Sequence, residues 1–183
     1  MKTNKILENW WNKCRNYSEL DQLFDSFLEA LTSEEKQNLL DEINSRSKQL
    51  YNDHFSIAAL LFTEGEAGND GFLDFLDCAC FLPAKKFEEI SNSYDNLILC
   101  DKLNSFDEFY FQVRLCESFG KKMKKLNLFN KSTVKQAVDY ARENLPRLFH
   151  LSGDLLVNKI DKNEPELDES ENPENQFFSL DDL

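Results

Sequence analysis

The sequence predicts an all-α fold: a compact domain of about seven to nine helices, followed by an acidic C-terminal tail. Apolar residues recur at helical spacing along most of the chain, and capping signals separate the apolar segments. Only five Gly and four Pro interrupt 183 residues, which disfavours a turn-rich all-β fold. The hydrophobic fraction of 41%, with 16 Phe, is sufficient for a core without disulfides or metal ions.

The negative charge is concentrated at the C-terminus. The chain carries 34 acidic and 21 basic residues, a net charge of −13. From Asp161 onward nine acids oppose one lysine, so this segment holds −8 and the first 160 residues hold only −5. We therefore expect a single helical domain over residues 1–160 and a flexible or docked acidic tail over 161–183. An acidic chain disfavours nucleic-acid phosphates and favours a basic protein partner.

The N-terminal segment and the cysteines predict a cytoplasmic protein with no membrane partner. Residues 1–16 are charged, contain two Trp and lack the apolar core of a signal peptide. No stretch contains the roughly 18 apolar residues of a membrane helix. The five Cys form an odd set without a C-x-x-C pair, which is typical of reduced thiols packed as small core residues.

Apolar spacing predicts three helices in the first 52 residues. The first contains Ile6, Trp10, Trp11, Cys14 and Tyr17. The apolar stripe of the second contains Leu20, Leu23, Phe24, Phe27, Leu28 and Leu31. Ser18 is the expected cap of this second helix, and Thr32 with Glu35 has the spacing of a capping box that begins the third. We expect the stripes to pack in the core; a groove for a partner is the alternative.

A central apolar helix and a glycine-rich acidic turn follow. Asn52 or Asp53 is expected to cap a helix over residues 55–62 that is apolar on nearly all sides, so we place this helix in the centre of the domain. The turn covers residues 64–71 and contains three of the five Gly. A fifth helix is expected to begin near Asp70 and to end before Pro83.

Shorter helices are predicted between Pro83 and Gly120. Residues 87–90 indicate a sixth helix, and residues 95–100 indicate a short buried helix or a strand. Ser105 with Glu108 has capping-box spacing, and Gly120 is the expected C-cap of the helix that follows them.

The last part of the domain carries one more capping signal. Thr133 with Gln136 predicts the start of a helix that extends to Pro146. A final apolar segment follows, and Gly153 interrupts it. We expect both segments to complete the helical core.

The turn and the helix after it carry the candidate partner-binding carboxylates. These are Glu64, Glu66, Asp70, Asp74 and Asp77. The last three fall on one helical face. A calcium loop that begins at the first of them would require Gly at Asn69 and Glu at Phe75, so that pattern is not matched. The group is therefore a candidate surface for a basic partner, with a divalent cation as the alternative.

No catalytic pattern is evident in the sequence. His54 and His150 are the only histidines, and neither has zinc-ligand spacing to a Cys or an acid. No Cys has a neighbouring base, and no nucleotide-binding glycine motif or nucleophile elbow occurs. We expect a protein that is not an enzyme, with no cofactor and no metal ion.

The final eight residues, QFFSLDDL, regain apolar character after the acidic stretch. Phe177 and Phe178 are therefore candidate partner-binding residues. Such a segment can bind the domain itself, or a partner as a short linear motif.

The turn also carries a family resemblance. Trp10 and Trp11, SIAALLF at 56–62, and NDGF at 69–72 with Phe75 resemble the bacterial family called domain of unknown function 4240. That family carries a pattern like LWAAAYLIxGGxSDDGFxYFRxWLI after an early FW. The resemblance covers about residues 5–100 and departs from the pattern where Arg and Trp are replaced by Leu76 and Cys78. It implies a compact helical domain in the bacterial cytoplasm and supplies no catalytic residues.

These observations favour a noncatalytic acidic protein that binds a basic protein partner. An immunity protein that neutralises a bacterial toxin is the concrete example. The alternative is a metal-dependent enzyme or metal-binding module that uses the acidic turn at residues 64–77.

Overall fold

The computed structural model describes residues 2–14, 17–67, 71–100, 102–103, 110–120 and 133–161. The described residues form ten α-helices and one 3₁₀ helix, with no strand, which confirms the all-α prediction. The helices are α1 Lys2–Lys13, α2 Tyr17–Glu29, α3 Ser33–Leu50, α4 Asp53–Phe62, α5 Gly71–Cys80, α6 Ala84–Asn92, the 3₁₀ helix Tyr94–Leu99, α7 Phe111–Glu117, α8 Val134–Asn144, α9 Pro146–Ser152 and α10 Asp154–Asp161. Within the described part, no helix is both long and apolar enough to cross a membrane.

Three predicted N-caps are confirmed by their hydrogen bonds. The Thr32 and Glu35 side chains form a reciprocal capping box at the start of α3, and Thr133 with Gln136 does the same for α8. Asn52 Oδ1 accepts a hydrogen bond from the Phe55 amide (2.9 Å) and caps α4. These bonds satisfy amide groups that the first turn of a helix leaves without an intrahelical partner.

The prediction that α4 lies in the centre of the domain is confirmed. Six of its ten residues are buried, and α4 contacts α5, α8, α9 and the 3₁₀ helix. A helix that is apolar on all sides must be surrounded by other elements, because any exposed side would leave apolar surface in water. Buried residues from Leu7 to Leu156 join one hydrophobic cluster around it.

A second centre of packing is an aromatic cluster formed by Trp10, Phe24, Phe27, Phe81 and Phe111. The rings of Trp10 and Phe27 are stacked with centroids 5.1 Å apart, and those of Phe24 and Phe111 are 4.4 Å apart. The cluster joins α1, α2, the segment after α5, and α7. Such ring pairs contribute about 0.5–1.5 kcal/mol each beyond their burial.

Some boundaries differ from the sequence-based expectations. Helix α2 begins at Tyr17, so Ser18 lies inside its first turn, and Leu23 on its predicted core stripe is 41% exposed. Residues 94–99 form a 3₁₀ helix and not a strand. The predicted capping box at Ser105 and Glu108 lies outside the described residues.

Candidate functional site

The turn after α4, residues 64–67, forms a corner that we call the acidic corner. The Gly65 amide donates to the Leu60 carbonyl (2.9 Å) and the Glu64 amide donates to the Leu61 carbonyl (3.3 Å). This pair of bonds is the Schellman arrangement that closes a helix C-terminus. Glu64 has φ +53° and Gly65 has φ +101°, so both occupy the left-handed region. The corner therefore has one defined backbone path.

Thr63 reinforces the acidic corner from inside. Its Oγ1 donates to the Ala59 carbonyl (2.9 Å) and accepts from the Ala67 amide (2.8 Å). Thr63 and Ala67 are buried, whereas Glu64 and Glu66 are exposed. The hydrogen bonds hold the backbone that carries both carboxylates, while the carboxylates themselves face water.

Helix α10 lies beside the acidic corner. A Cβ atom on Gly65 would lie 3.9 Å from Leu155 Cδ1. From Leu155 to Asp161, where α10 ends, the helix rises about 9 Å. The sequence beyond Asp161 contains eight more acids. In the sequence, the acid-rich segment therefore follows directly after a helix that packs beside the corner.

The structure separates the predicted partner-binding residues. Glu64 and Glu66 come together on the exposed corner, whereas Asp74 is partly buried on α5. Asp77, also partly buried, accepts a hydrogen bond from the Gln112 amide (3.1 Å) at the start of α7. The sequence placed Asp77 on an exposed face of its helix. In the structure, Asp77 instead caps the start of α7. Asp70, Phe177 and Phe178 lie outside the described residues.

The contact made by Asp77 replaces a missing local cap. The N-cap residue of α7, Tyr110, has φ +49° and makes no side-chain capping bond. Burial raises the pKa of Asp77 to about 7; hydrogen bonds from the Gln112 and Phe111 amides act in the opposite direction, and the charge of Asp74 raises the pKa further. Asp77 therefore changes protonation state near neutral pH.

Asp77→Asn is expected to make the fold more stable than the wild type at pH 8. Because the folded pKa of Asp77 exceeds its unfolded value, its contribution to stability is complete below about pH 4 and is lost as pH rises through about 7. Asparagine keeps an acceptor for the Gln112 amide and has no charge to desolvate. Urea unfolding at pH 5 and pH 8 measures the difference, with exposed Asp139→Asn as the control. Equal pH dependence in Asp77→Asn and the wild type would contradict the assignment.

A small cavity that no sequence pattern predicts lies on another part of the domain, and we call it the basic pocket. It has a volume of about 140 Å³ and is lined by Trp11, Lys86, Leu99, Cys100 and Lys102. Lys102 Nζ donates to the Trp11 carbonyl (2.6 Å) and lies 5.0 Å from the centre of the Trp11 ring. Burial lowers the pKa of Lys102, and the charge of Lys86 lowers it further. The two lysines lie on segments separated by 16 positions, so no local motif indicates their proximity.

The five cysteines and His54 have packing roles in the described part of the chain. All five Cys are buried and reduced, and burial raises the pKa values of Cys14 and Cys80, which disfavours reactive thiolates. His54 stacks on Tyr140 with ring centroids 3.9 Å apart. The described residues contain no group of three or more His, Cys, Asp or Glu that could hold a metal ion; Asp70 is not among them.

Comparison with protein-family models, curated proteins and solved structures found no match. The resemblance to the domain of unknown function 4240 family therefore stays a prediction.

Proposed function

We propose that this chain is a noncatalytic protein that binds a basic protein partner through the acidic corner and the acid-rich segment after α10. An immunity protein that neutralises a basic bacterial toxin is the concrete form of this proposal. The observation that carries it is the pair of exposed carboxylates, Glu64 and Glu66, on a hydrogen-bonded corner beside α10.

The backbone of the acidic corner is already ordered before a partner binds. Since its backbone is held by the bonds of Thr63 and by the helix closure, binding would order only the two glutamate side chains. Preorganisation of this kind reduces the entropy lost on association. Neither glutamate forms an ion pair with another described residue. Within the described part of the chain, no basic side chain neutralises either charge.

Three arginines of the domain form ion pairs with acids outside the acidic corner. Arg46 pairs with Glu42, and Arg147 pairs with Asp95. Arg114 pairs with two acids of α2, Asp21 and Asp25. These internal pairs leave the acidic corner without a basic neighbour from this group, which supports a binding role for its charge.

The chemistry of the partner follows from charge. Eight acids follow α10 in the sequence, and the total charge is −13. A partner with a patch of Lys and Arg would be attracted over several ångströms, and this attraction would weaken as salt screens it. The proposed partner is therefore a protein with a positive surface and a salt-sensitive association rate.

The test has two steps. The full chain is immobilised to capture partners from extracts of the native host, and products of neighbouring genes are then assayed individually for binding by calorimetry. We expect a basic protein to bind, and the double substitution Glu64→Gln and Glu66→Gln to weaken binding about tenfold at low salt.

A charge-matched control separates the site from total charge. Glu29→Gln and Glu34→Gln remove two exposed charges from α2 and α3. This control is expected to change affinity by about twofold or less. Equal losses in the two double variants would show that the corner has no special role. Absence of any basic partner at moderate salt would refute the proposed function.

A further inference from the structure

We propose that the basic pocket is an internal docking site for residues 176–183 of this chain, QFFSLDDL. In this arrangement an apolar side chain of the segment enters the pocket, while Asp181 and Asp182 face Lys86 and Lys102. The inference does not rest on the proposed partner, and it engages only two of the eight acids that follow α10.

The pocket combines apolar walls with two cations. Trp11 and Cys100 are buried in its wall, and Leu99 at its edge is 53% exposed. Leu99 is one of the few large apolar side chains that the described part of the fold leaves in water. An occupant that covers Leu99 would gain hydrophobic burial. The pocket therefore favours a segment with apolar side chains.

The charges around the two lysines of the pocket are the second feature that favours an acidic occupant. Neither Lys86 nor Lys102 forms an ion pair with a carboxylate among the described residues. The charge of Lys86 lowers the pKa of Lys102, and the charge of Glu19 acts in the opposite direction. An anion placed between the two lysines would relieve the repulsion between their charges. The neighbouring Lys85 differs, because its side chain is 89% exposed and lies 4.0 Å from Glu89.

The size of the pocket indicates the class of occupant. Its volume of about 140 Å³ is well below the roughly 300 Å³ at which small-molecule sites begin. A cofactor or metabolite of ordinary size does not fit, whereas one side chain of a peptide does. A peptide can place that side chain in the cavity and its acids on the surrounding lysines.

The C-terminal segment has the complementary composition. Phe177, Phe178 and Leu180 supply apolar anchors, and Asp181 and Asp182 follow directly. In an extended peptide, Phe178 and Asp181 are separated by about 10 Å. The segment therefore offers an apolar group and a negative group within about 10 Å of each other.

The chain is long enough for this docking. Asp181 follows the end of α10 by 20 residues, which span up to about 66 Å when extended. A domain of 160 residues has a diameter of about 40 Å. Any point on its surface is within reach. Linkage to the same chain also raises the effective concentration of the segment at the pocket.

Zero-length carbodiimide cross-linking of the full chain tests the proposal. The reagent joins an amine to a carboxylate only when the two are in contact, and mass spectrometry then identifies the linked peptides. We expect cross-links from Lys86 and Lys102 to Asp181 or Asp182 that exceed those from Lys85. A mixture of ¹⁴N and ¹⁵N chains distinguishes links within one chain from links between chains.

Adjacent lysines provide the matched control. Lys86→Glu is expected to lower the cross-link yield at Lys102 by about fivefold or more, and Lys85→Glu is expected to leave it unchanged. The double substitution Phe177→Ala and Phe178→Ala, which keeps every carboxylate, should also lower the yield. Equal yields at Lys85 and Lys86, or links formed only between chains, would overturn the proposal. Circular dichroism of each variant confirms that the helices are retained.

Discussion

Replacing Arg46 by alanine is expected to lower the free energy of unfolding by about 3 kcal/mol. Arg46 is only 3% exposed, and its Nη1 donates to the Cys80 carbonyl (2.9 Å) and to the Leu82 carbonyl at the end of α5. Its guanidinium also lies 4.6 Å from the centre of the Phe87 ring. The alanine variant leaves two buried carbonyls without this donor and a void over the ring. Urea unfolding measures the loss.

Two companion variants separate the contributions of Arg46. Arg46→Lys keeps the charge but lacks the planar group that reaches two carbonyls and stacks on a ring, so we expect a loss of about 2 kcal/mol. Glu42→Gln removes the charge of the ion-pair partner, whose side chain is 37% exposed, and should cost less than about 1 kcal/mol. A larger loss for Glu42→Gln than for Arg46→Ala would show that the ion pair, and not the carbonyl contacts, dominates.

Asp95→Ala is the second large expected effect, a loss of about 3 kcal/mol. Asp95 is 5% exposed, and its carboxylate accepts from the amides of Arg147 (3.0 Å) and Leu148 (2.9 Å). These amides belong to the first turn of α9, whose N-cap residue Leu145 makes no side-chain bond. Alanine would leave both amides without their acceptor. Thermal and urea unfolding of the variant measure the loss.

The design of the Asp95 test includes two controls. Asp95→Asn retains an acceptor for α9 and is expected to lose only about 1 kcal/mol. Arg147→Gln removes the side-chain ion pair (2.9 Å) but keeps the Arg147 amide, and its side chain is 44% exposed. We expect a loss below about 1 kcal/mol for this variant. If Arg147→Gln matched Asp95→Ala, the surface ion pair would be the main contribution.

Asp77, Asp95 and Arg46 share one structural role. Each contacts the terminus of a helix to which it does not belong: the starts of α7 and α9, and the end of α5. Carboxylates near helix N-termini and cations near C-termini also have favourable interactions with the helix dipole. These contacts explain how two seven-residue helices, α7 and α9, form without side-chain caps of their own.

Some acids form hydrogen bonds inside the fold, and only the exposed acids can bind a partner. The carboxyl groups of Asp77 and Asp95 accept hydrogen bonds inside the fold, so a count of acids overstates the charge available for binding. Glu64 and Glu66 remain at the acidic corner, and eight further acids follow Asp161. We propose that these acids bind the partner and that two of them, Asp181 and Asp182, can also bind the basic pocket. The alternative of a metal module at residues 64–77 would use Asp70, Asp74 and the acids of the turn, and it stays a prediction because Asp70 lies outside the described residues.

Much of the fold could be predicted from the sequence because its signals are local. Thr32 with Glu35 and Thr133 with Gln136 are capping boxes in both the sequence and the structure, since their partners are three residues apart. Likewise, the uniformly apolar sequence of α4 required a central position. The exposed position of Glu64 and Glu66 followed from their placement in a polar turn.

Only the tertiary structure decided which polar residues form contacts between helices and which are exposed to water. Asp77 and Gln112 are 35 positions apart, and Lys102 and Trp11 are 91 apart, so neither contact has a local signal in the sequence. Asp74 and Asp77 looked equivalent because helical spacing places them on one face. Packing of α7 against α5 removed that equivalence by placing the first amides of α7 beside Asp77. Periodicity defines the face of a helix, but the neighbouring element determines what that face contacts.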